Sequence, residues 1–159
     1  MTDKFELSVK THFDAAHLLE EYPGKCSRLH GHRWDVEFVF EGSQLNAQNI
    51  LVDFALVKQL IQKITDRLDH YYLNDKLKEK HPTAEFLAAW LYEQMSNMFK
   101  CADMVPINHQ LLSAVRCGIG LAHVTVWESP ECCVKYYHVV DVPGILKDTD
   151  VRKEVLIEA

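Results

Sequence analysis

The chain has 159 residues, of which 48% are hydrophobic and 25% are charged, and its formal net charge is -6. This balance is typical of one globular domain with enough apolar material for a core, and the negative charge disfavours a general nucleic-acid binder, which needs clustered lysine and arginine. Because no apolar run reaches transmembrane length and the N-terminal residues lack the pattern of a signal peptide, we expect a cytosolic protein without a membrane partner.

Two segments near the start of the chain alternate between apolar and polar residues, as half-buried strands do. From residue 5 to residue 13 the odd positions are apolar or Thr, and His17 shares their parity if the chain stays extended that far. In the second segment, the even positions from 30 to 40 are His30 and His32 followed by four apolar residues, while most of the odd positions are charged. Side chains two apart on a strand point the same way, so these two imidazoles are predicted to lie side by side.

Three imidazoles and one thiol can therefore reach a single metal ion: His17, His30, His32 and Cys26. Zinc accepts neutral imidazole and thiolate, and a site with three protein ligands keeps a fourth position for water or substrate. The spacing also allows a closed structural site in which Cys26 is the fourth ligand. The five cysteines are an odd set without CxxC spacing, so neither a disulfide framework nor a four-thiol zinc site is expected.

Two helices are predicted in the middle of the chain. Asp53 is suited to cap the first, and the second begins near Pro82, a residue tolerated in a first turn. Each helix has a single apolar stripe, which indicates that it lies on a sheet. The stripes are Phe54, Val57, Leu60, Ile61, Ile64 and Leu68 in the first helix, and Phe86, Leu87, Trp90, Leu91, Met95 and Met98 in the second.

The last part of the chain predicts a connection and a hairpin. Residues 100–120, which contain Pro106, Gly118 and Gly120, are expected to form an irregular connection. Residues 124–128 and 134–138 are predicted to be two antiparallel strands, which gives the element order ββααββ. We expect one domain over residues 1–140, followed by a charged and exposed C-terminal extension over residues 141–159.

Two further features have both a functional and an ordinary interpretation. Adjacent Asp69 and His70 can form a carboxylate-supported acid/base group, but sequence neighbours often point apart, and the residues alone favour an ordinary surface pair. Glu128 ends an apolar strand, where it is either a solvated terminus or a buried carboxylate awaiting a partner.

An ordered set of motifs resembles the 6-pyruvoyltetrahydropterin synthase superfamily. The set comprises FDAAH, CSRLHGH, VDF at residues 52–54, RLDHYYLND, PTAEFLA at residues 82–88, and the strand that ends in Glu128. The short gap between Cys26 and His30, with Lys25 and Arg28 beside the thiol, is similar to the 6-carboxytetrahydropterin synthase branch of queuosine and deazapurine biosynthesis.

This resemblance implies a zinc-dependent lyase. The enzyme would convert 7,8-dihydroneopterin triphosphate to 6-carboxy-5,6,7,8-tetrahydropterin, acetaldehyde and triphosphate, with no redox cofactor. His17, His30 and His32 would hold Zn²⁺, which would act as a Lewis acid toward the hydroxyls of the substrate side chain. Cys26 would be the general base, and Asp69 with His70 would supply the second acid/base group.

The resemblance also implies substrate contacts and leaves two alternatives. Glu128 would anchor the pterin ring through its amino-pyrimidine N–H groups, Thr83 would add a polar contact, and Lys25 and Arg28 would steer the triphosphate. One alternative is a 6-pyruvoyltetrahydropterin synthase, which eliminates triphosphate from the same substrate without cutting the carbon skeleton. The other is a non-catalytic zinc-stabilised binding or assembly module in which Cys26 closes the coordination sphere.

The implied fold is the α+β tunnelling fold, in which two helices lie on one face of a four-stranded antiparallel sheet. In such a family three subunits join their sheets into a barrel and two barrels stack, so a homohexamer built as a dimer of trimers is expected. We therefore predict that Asp69 and His70 reach the zinc pocket of a neighbouring subunit.

Overall fold

The computed structural model describes residues 3–100, 118–139 and 155–157. Its centre is an antiparallel sheet in which each strand pairs with the next one in the chain. The alternating segments of the sequence form the two longest strands, because one face of each is mainly apolar and packs on the core. The strands are β1 (Phe5–His17), β2 (His30–Gly42), β3 (Gly120–Ser129), β4 (Cys132–Tyr136) and β5 (Val155–Ile157).

Within the described residues, three helices lie between β2 and β3, and a short 3-10 turn (Lys25–Ser27) precedes β2. The helices are α1 (Phe54–Thr65), α2 (Leu73–Leu77) and α3 (Ala84–Lys100). The carboxylate of Asp53 caps α1 by accepting a hydrogen bond of 2.7 Å from the backbone N–H of Ala55, as predicted. At the start of α3, the hydroxyl of Thr83 accepts one of 3.3 Å from the N–H of Phe86.

The core lies between one face of the sheet and the helices. It contains the odd positions of β1, the even positions of β2 and β3, and the inner stripes of α1 and α3. The predicted stripes are right with three exceptions: Phe54 is 54% exposed, Phe86 is only partly buried and lies outside the core, and Trp90 is half-buried with the Arg67 guanidinium over its ring. The largest fully buried side chains include Phe13, Trp34, Phe38, Phe40, Ile61, Ile64, Leu87, Leu91 and Met95.

The predicted α+β tunnelling-fold class is confirmed, with two additional elements and two strands that begin earlier than predicted. The short helix α2 lies between the two predicted helices, β3 begins at Gly120 rather than at residue 124, and β4 begins at Cys132. A fifth strand, β5, comes from the segment predicted to be an exposed extension, and it pairs with β4. An irregular connection was predicted over residues 100–120. Its residues 101–117 lie outside the part of the chain that the structure describes. No helix in the described part of the chain is long and apolar enough to cross a bilayer.

Candidate functional site

The register of β1 and β2 brings three imidazoles together at one end of the sheet. His17 pairs with His30, and Ala15 pairs with His32, so the three histidines share the face that carries the core. One ring nitrogen from each lies within 4.8 Å of the other two, and the Nε2 atoms of His17 and His30 are 3.1 Å apart. The predicted convergence of these side chains is therefore present.

Backbone carbonyls fix how two of these rings are protonated. The Nδ1 of His17 lies 2.9 Å from the carbonyl oxygen of Pro82, and the Nδ1 of His30 lies 2.7 Å from that of Arg28. A carbonyl only accepts hydrogen bonds, so each Nδ1 carries the proton, and in the neutral rings each Nε2 presents a lone pair. Two lone pairs that face each other at 3.1 Å repel unless a cation lies between them.

The third imidazole adds an unsatisfied nitrogen to this arrangement. The Nε2 of His32 is buried and has no hydrogen-bond partner among the described residues. Buried polar atoms are nearly always paired, and an unpaired one suggests a missing ion or water. Three convergent imidazole nitrogens, two of them held by carbonyls on their far side, fit a zinc ion and its usual outer shell.

Burial keeps the imidazoles of His17 and His32 in the form that binds a metal. The pKa of His17 is lowered to about 4, mainly by desolvation; the hydrogen bond to Pro82 opposes this shift, and repulsion from His30 and His32 adds to it. Desolvation also lowers the pKa of His32, against the attraction of the Glu128 carboxylate. Both rings are therefore neutral at physiological pH, as zinc coordination requires.

A break in the ladder between β3 and β4 places Glu128 beside the histidines. Trp127 pairs with Cys133 and Ser129 with Cys132, so Glu128 stands in a bulge without a partner of its own. Its Oε1 lies 3.5 Å from the Nε2 of His17 and 3.7 Å from that of His32. Among the described residues, the three histidines form the set that could hold a metal ion, and the Glu128 carboxylate lies directly beside two of them.

The predicted base, Cys26, lies in the 3-10 turn just before β2. The turn is closed by hydrogen bonds from the N–H of Ser27 to the carbonyl of Gly24 and from the N–H of Arg28 to that of Lys25. Cys26 is half-buried and is not a member of the three-histidine set. Lys25 and Arg28 are exposed, and within the described residues neither forms an ion pair.

Asp69 and His70 form a hydrogen-bonded pair. His70 Nδ1 lies 2.7 Å from Asp69 Oδ2, while Asp69 Oδ1 accepts a hydrogen bond of 2.9 Å from the N–H of Asp14. The latter bond, followed by the one to His70, lowers the pKa of Asp69. His70 has a φ of 60°, a conformation that is uncommon for a non-glycine residue, and its N–H donates to the Asp14 carbonyl at 2.6 Å. The pair is thus attached to β1 rather than free on the surface.

An open cleft connects this pair with the histidines. It has a volume of about 500 Å³, and His32 and His70 both line it, together with Asp14, Ala15, Ala16, Gly31, Tyr71 and Tyr72. Within one chain, His70 and His32 therefore border the same space. The predicted reach of Asp69 and His70 into a neighbouring subunit stays a prediction.

The remaining predicted substrate residue, Thr83, has a structural partner. Its hydroxyl caps α3, one residue after the Pro82 carbonyl that orients His17. Sequence reasoning missed two supporting residues. Trp34 is fully buried and packs edge-on against His17 and His32, with ring centroids 5.0 Å and 5.2 Å apart. Asn74 is a buried amide inside the RLDHYYLND motif. The parity of Trp34 with the histidines and the motif around Asn74 were the available signals.

Comparison with known proteins identifies relatives over most of the chain. The family model described as 6-pyruvoyl tetrahydropterin synthase matches residues 6–139. A 6-carboxy-5,6,7,8-tetrahydropterin synthase from Haemophilus influenzae is 32% identical over 138 residues, which cover 83% of this chain and 98% of the relative. A protein of the same name from Synechocystis is 38% identical over 88 residues, which cover 52% of this chain and 68% of the relative.

Solved structures of low sequence identity share the fold. A Caenorhabditis elegans 6-pyruvoyl tetrahydropterin synthase matches with a TM-score of 0.68 at 22% identity, covering 87% of this chain and 98% of its own. The resemblance expected from the motifs is therefore confirmed, both for the family and for the names of the curated relatives.

Proposed function

We propose that this chain, which belongs to the 6-pyruvoyl tetrahydropterin synthase family, is a zinc-dependent 6-carboxy-5,6,7,8-tetrahydropterin synthase. The names of the relatives support a lyase that acts on a pterin. The observation that carries the zinc dependence is the convergence of three imidazole nitrogens, two of which present lone pairs to each other at 3.1 Å.

The proposed reaction starts from 7,8-dihydroneopterin triphosphate and consumes one water. One carbon–carbon bond of the side chain and the carbon–oxygen bond to triphosphate break. The products are 6-carboxy-5,6,7,8-tetrahydropterin, acetaldehyde and triphosphate, and their atoms balance those of the substrate and water. No external oxidant or reductant enters, because the ring and the side chain exchange oxidation levels within one molecule.

The three histidines would hold zinc, which when bound supplies a Lewis acid for the hydroxyls of the substrate side chain. The chain's own groups would then move the protons. Cys26 would accept a proton from the side chain as general base. His70 would transfer the second proton, and its hydrogen bond of 2.7 Å to Asp69 would orient the ring and stabilise its protonated form.

Substrate orientation would come from charges at both ends of the molecule. Glu128, held in its bulge next to the histidines, would accept hydrogen bonds from the amino-pyrimidine N–H groups. Lys25 and Arg28 are exposed beside the turn that carries Cys26, where they would attract the triphosphate. Thr83 would add a polar contact through its hydroxyl while it caps α3.

This function is tested by identifying the product that the protein forms from one substrate. We expect the zinc-loaded protein to release 6-carboxy-5,6,7,8-tetrahydropterin and acetaldehyde from 7,8-dihydroneopterin triphosphate, detected by mass analysis. A product with the mass of 6-pyruvoyltetrahydropterin would instead identify the alternative synthase. Unchanged substrate in the presence of bound zinc would indicate the non-catalytic module.

A Cys26→Ala variant separates catalysis from metal binding. If Cys26 is the base, the variant should lose turnover by at least about a hundredfold and keep its zinc affinity within twofold. Loss of zinc from the variant would show that the sulfur is a ligand, and would favour the closed structural site.

We further propose that the active enzyme is a homohexamer in which Asp69 and His70 serve a neighbouring subunit. Exposed apolar side chains near the site, Tyr22, Leu29 and Tyr71, support an interface there. Co-expressing differently tagged Cys26→Ala and His70→Ala chains tests this sharing. Mixed assemblies should recover activity if each site draws on two chains, whereas sites built within one chain would stay inactive.

A further inference from the structure

We propose that Asn74 is a positioning residue that holds His17 and the Cys26 turn in place for the metal centre. This inference rests on the proposed function in one respect, namely that the three histidines bind zinc. It adds a residue that never touches the metal or the substrate, and whose effect passes through the backbone on both sides of His17.

The side chain of Asn74 connects two segments of the chain. It lies in α2 and is 8% exposed. Its Oδ1 accepts a hydrogen bond of 3.1 Å from the N–H of Leu18, and its Nδ2 donates to the carbonyls of Leu18 at 2.9 Å and of Lys80 at 3.1 Å. One N–H and two carbonyl partners fit only this orientation of the amide, so both of its donors are used.

Both connected segments lead to the imidazole of His17. Leu18 directly follows His17, so the amide fixes the backbone at the end of β1. Lys80 lies two residues before Pro82, whose carbonyl accepts the Nδ1 proton of His17 at 2.9 Å. Asn74 therefore holds the backbone that carries the ring and also the loop that sets its orientation.

The same backbone continues to the predicted catalytic thiol. The N–H of Leu19, the next residue after Leu18, donates a hydrogen bond of 2.8 Å to the carbonyl of Cys26. A shift of the segment that Asn74 holds would therefore move the turn that carries Cys26 as well. The position of the thiol relative to the histidines depends on this chain of contacts.

Removing this amide would take hydrogen bonds from Leu18 and Lys80, and the carbonyl of Lys80 would keep only the one of 3.3 Å from the N–H of Glu20. The N–H of Leu18 and the carbonyls of Leu18 and Lys80 would each lose a hydrogen bond in a part-buried region, and the segment would relax to find new ones. Since the lone pair of His17 must point at the metal, a small rotation of the ring weakens coordination. The Pro82 carbonyl that this amide helps to position is the outer-shell partner of His17, and such partners are typically worth about 10–100-fold in metal affinity.

The test measures zinc affinity by competition with a chromophoric chelator, on the full chain. We expect Asn74→Ala to raise the dissociation constant at least about tenfold. The visible absorption bands of the Co²⁺-substituted protein, which report ligand geometry, should shift in the same variant. Asn74→Asp keeps an acceptor for the N–H of Leu18 but loses both donors, so it should weaken zinc binding too. This variant replaces Asn74→Ala in the test if Asn74→Ala does not fold.

Two controls separate positioning from general destabilisation. Ile61→Ala removes buried atoms from α1 and lowers the melting temperature without touching the connected segments. Asn46→Ala removes an amide that accepts two backbone hydrogen bonds in a loop before α1. Both controls should keep the zinc dissociation constant within twofold and leave the Co²⁺ spectrum unchanged.

The outcomes distinguish this inference from the function on which it rests. The positioning role would be overturned if the parent binds zinc and Asn74→Ala binds it with an affinity within twofold of the parent. It would also be overturned if Ile61→Ala lost as much zinc affinity as Asn74→Ala. A parent protein that binds no zinc would overturn the proposed function itself, and this inference with it.

Discussion

Acidification of the metal-free protein should reveal how strongly His17 resists protonation. Burial lowers its pKa from 6.5 to about 4 in the folded chain. An unfolded chain takes up the proton near 6.5, while the folded one takes it up only near 4, so folding is opposed once the pH falls below 6.5. The stabilisation is therefore complete above pH 6.5 and is lost as the pH falls toward 4.

The difference between these two pKa values sets the magnitude. It corresponds to about 3 kcal/mol of unfolding free energy in total, of which about 2 kcal/mol should already be lost at pH 5. His17 is 1% exposed, so solvent screening does little to reduce this value.

The assay is urea unfolding in the presence of a chelator, at pH 7.5 and pH 5, for the parent chain and for His17→Gln. Glutamine does not titrate, and its side-chain N–H preserves a donor for the Pro82 carbonyl. Subtracting the pH-dependent loss of unfolding free energy in the variant from that in the parent removes the contribution of the other titrating groups. If the two proteins lose the same stability within about 0.5 kcal/mol, which is roughly the limit of a mutant-cycle comparison, desolvation of His17 is not what opposes its protonation.

Three further substitutions test separate parts of the molecule. Asp69→Asn keeps an acceptor for the N–H of Asp14 but removes the charge that supports His70. We expect kcat to fall about a hundredfold while zinc affinity stays unchanged, and a kcat equal to that of the parent would exclude the pair from proton transfer. Glu128→Gln should raise KM about tenfold or more and leave zinc affinity within twofold, whereas loss of zinc would make the carboxylate a ligand. Asp53→Ala removes the cap of α1 and should cost about 1 kcal/mol in urea unfolding without changing kcat.

The sheet and the histidine cluster were predictable because both depend on a strict two-residue period. A strand exposes alternate side chains to the same face, so the apolar odd positions of β1 and even positions of β2 determined which way His17, His30 and His32 point. The cap at Asp53 was predictable for a similar reason, since it depends on the nearest few residues alone.

Features that depend on contacts between distant segments were beyond the reach of the sequence. The residues alone favoured an ordinary surface pair at Asp69 and His70, because nothing in the sequence shows that both bond to Asp14, 55 residues earlier. The bulge that holds Glu128 depends on the register of two strands. The exposure of Phe54 follows from where α1 lies on the sheet, which helical spacing does not determine.

The C-terminal strand has a geometric consequence for any ring of sheets. Each strand offers two rows of backbone groups, and β4 uses one row for β3 and, at residues 132–134, the other for β5. An incoming subunit that joined its own sheet to this border could not bond there while β5 remained. If three protomers closed a ring through β4, β5 of each chain would have to release its hydrogen bonds to residues 132–134. Pairing of β4 with β5 and ring closure through β4 are therefore mutually exclusive at these residues.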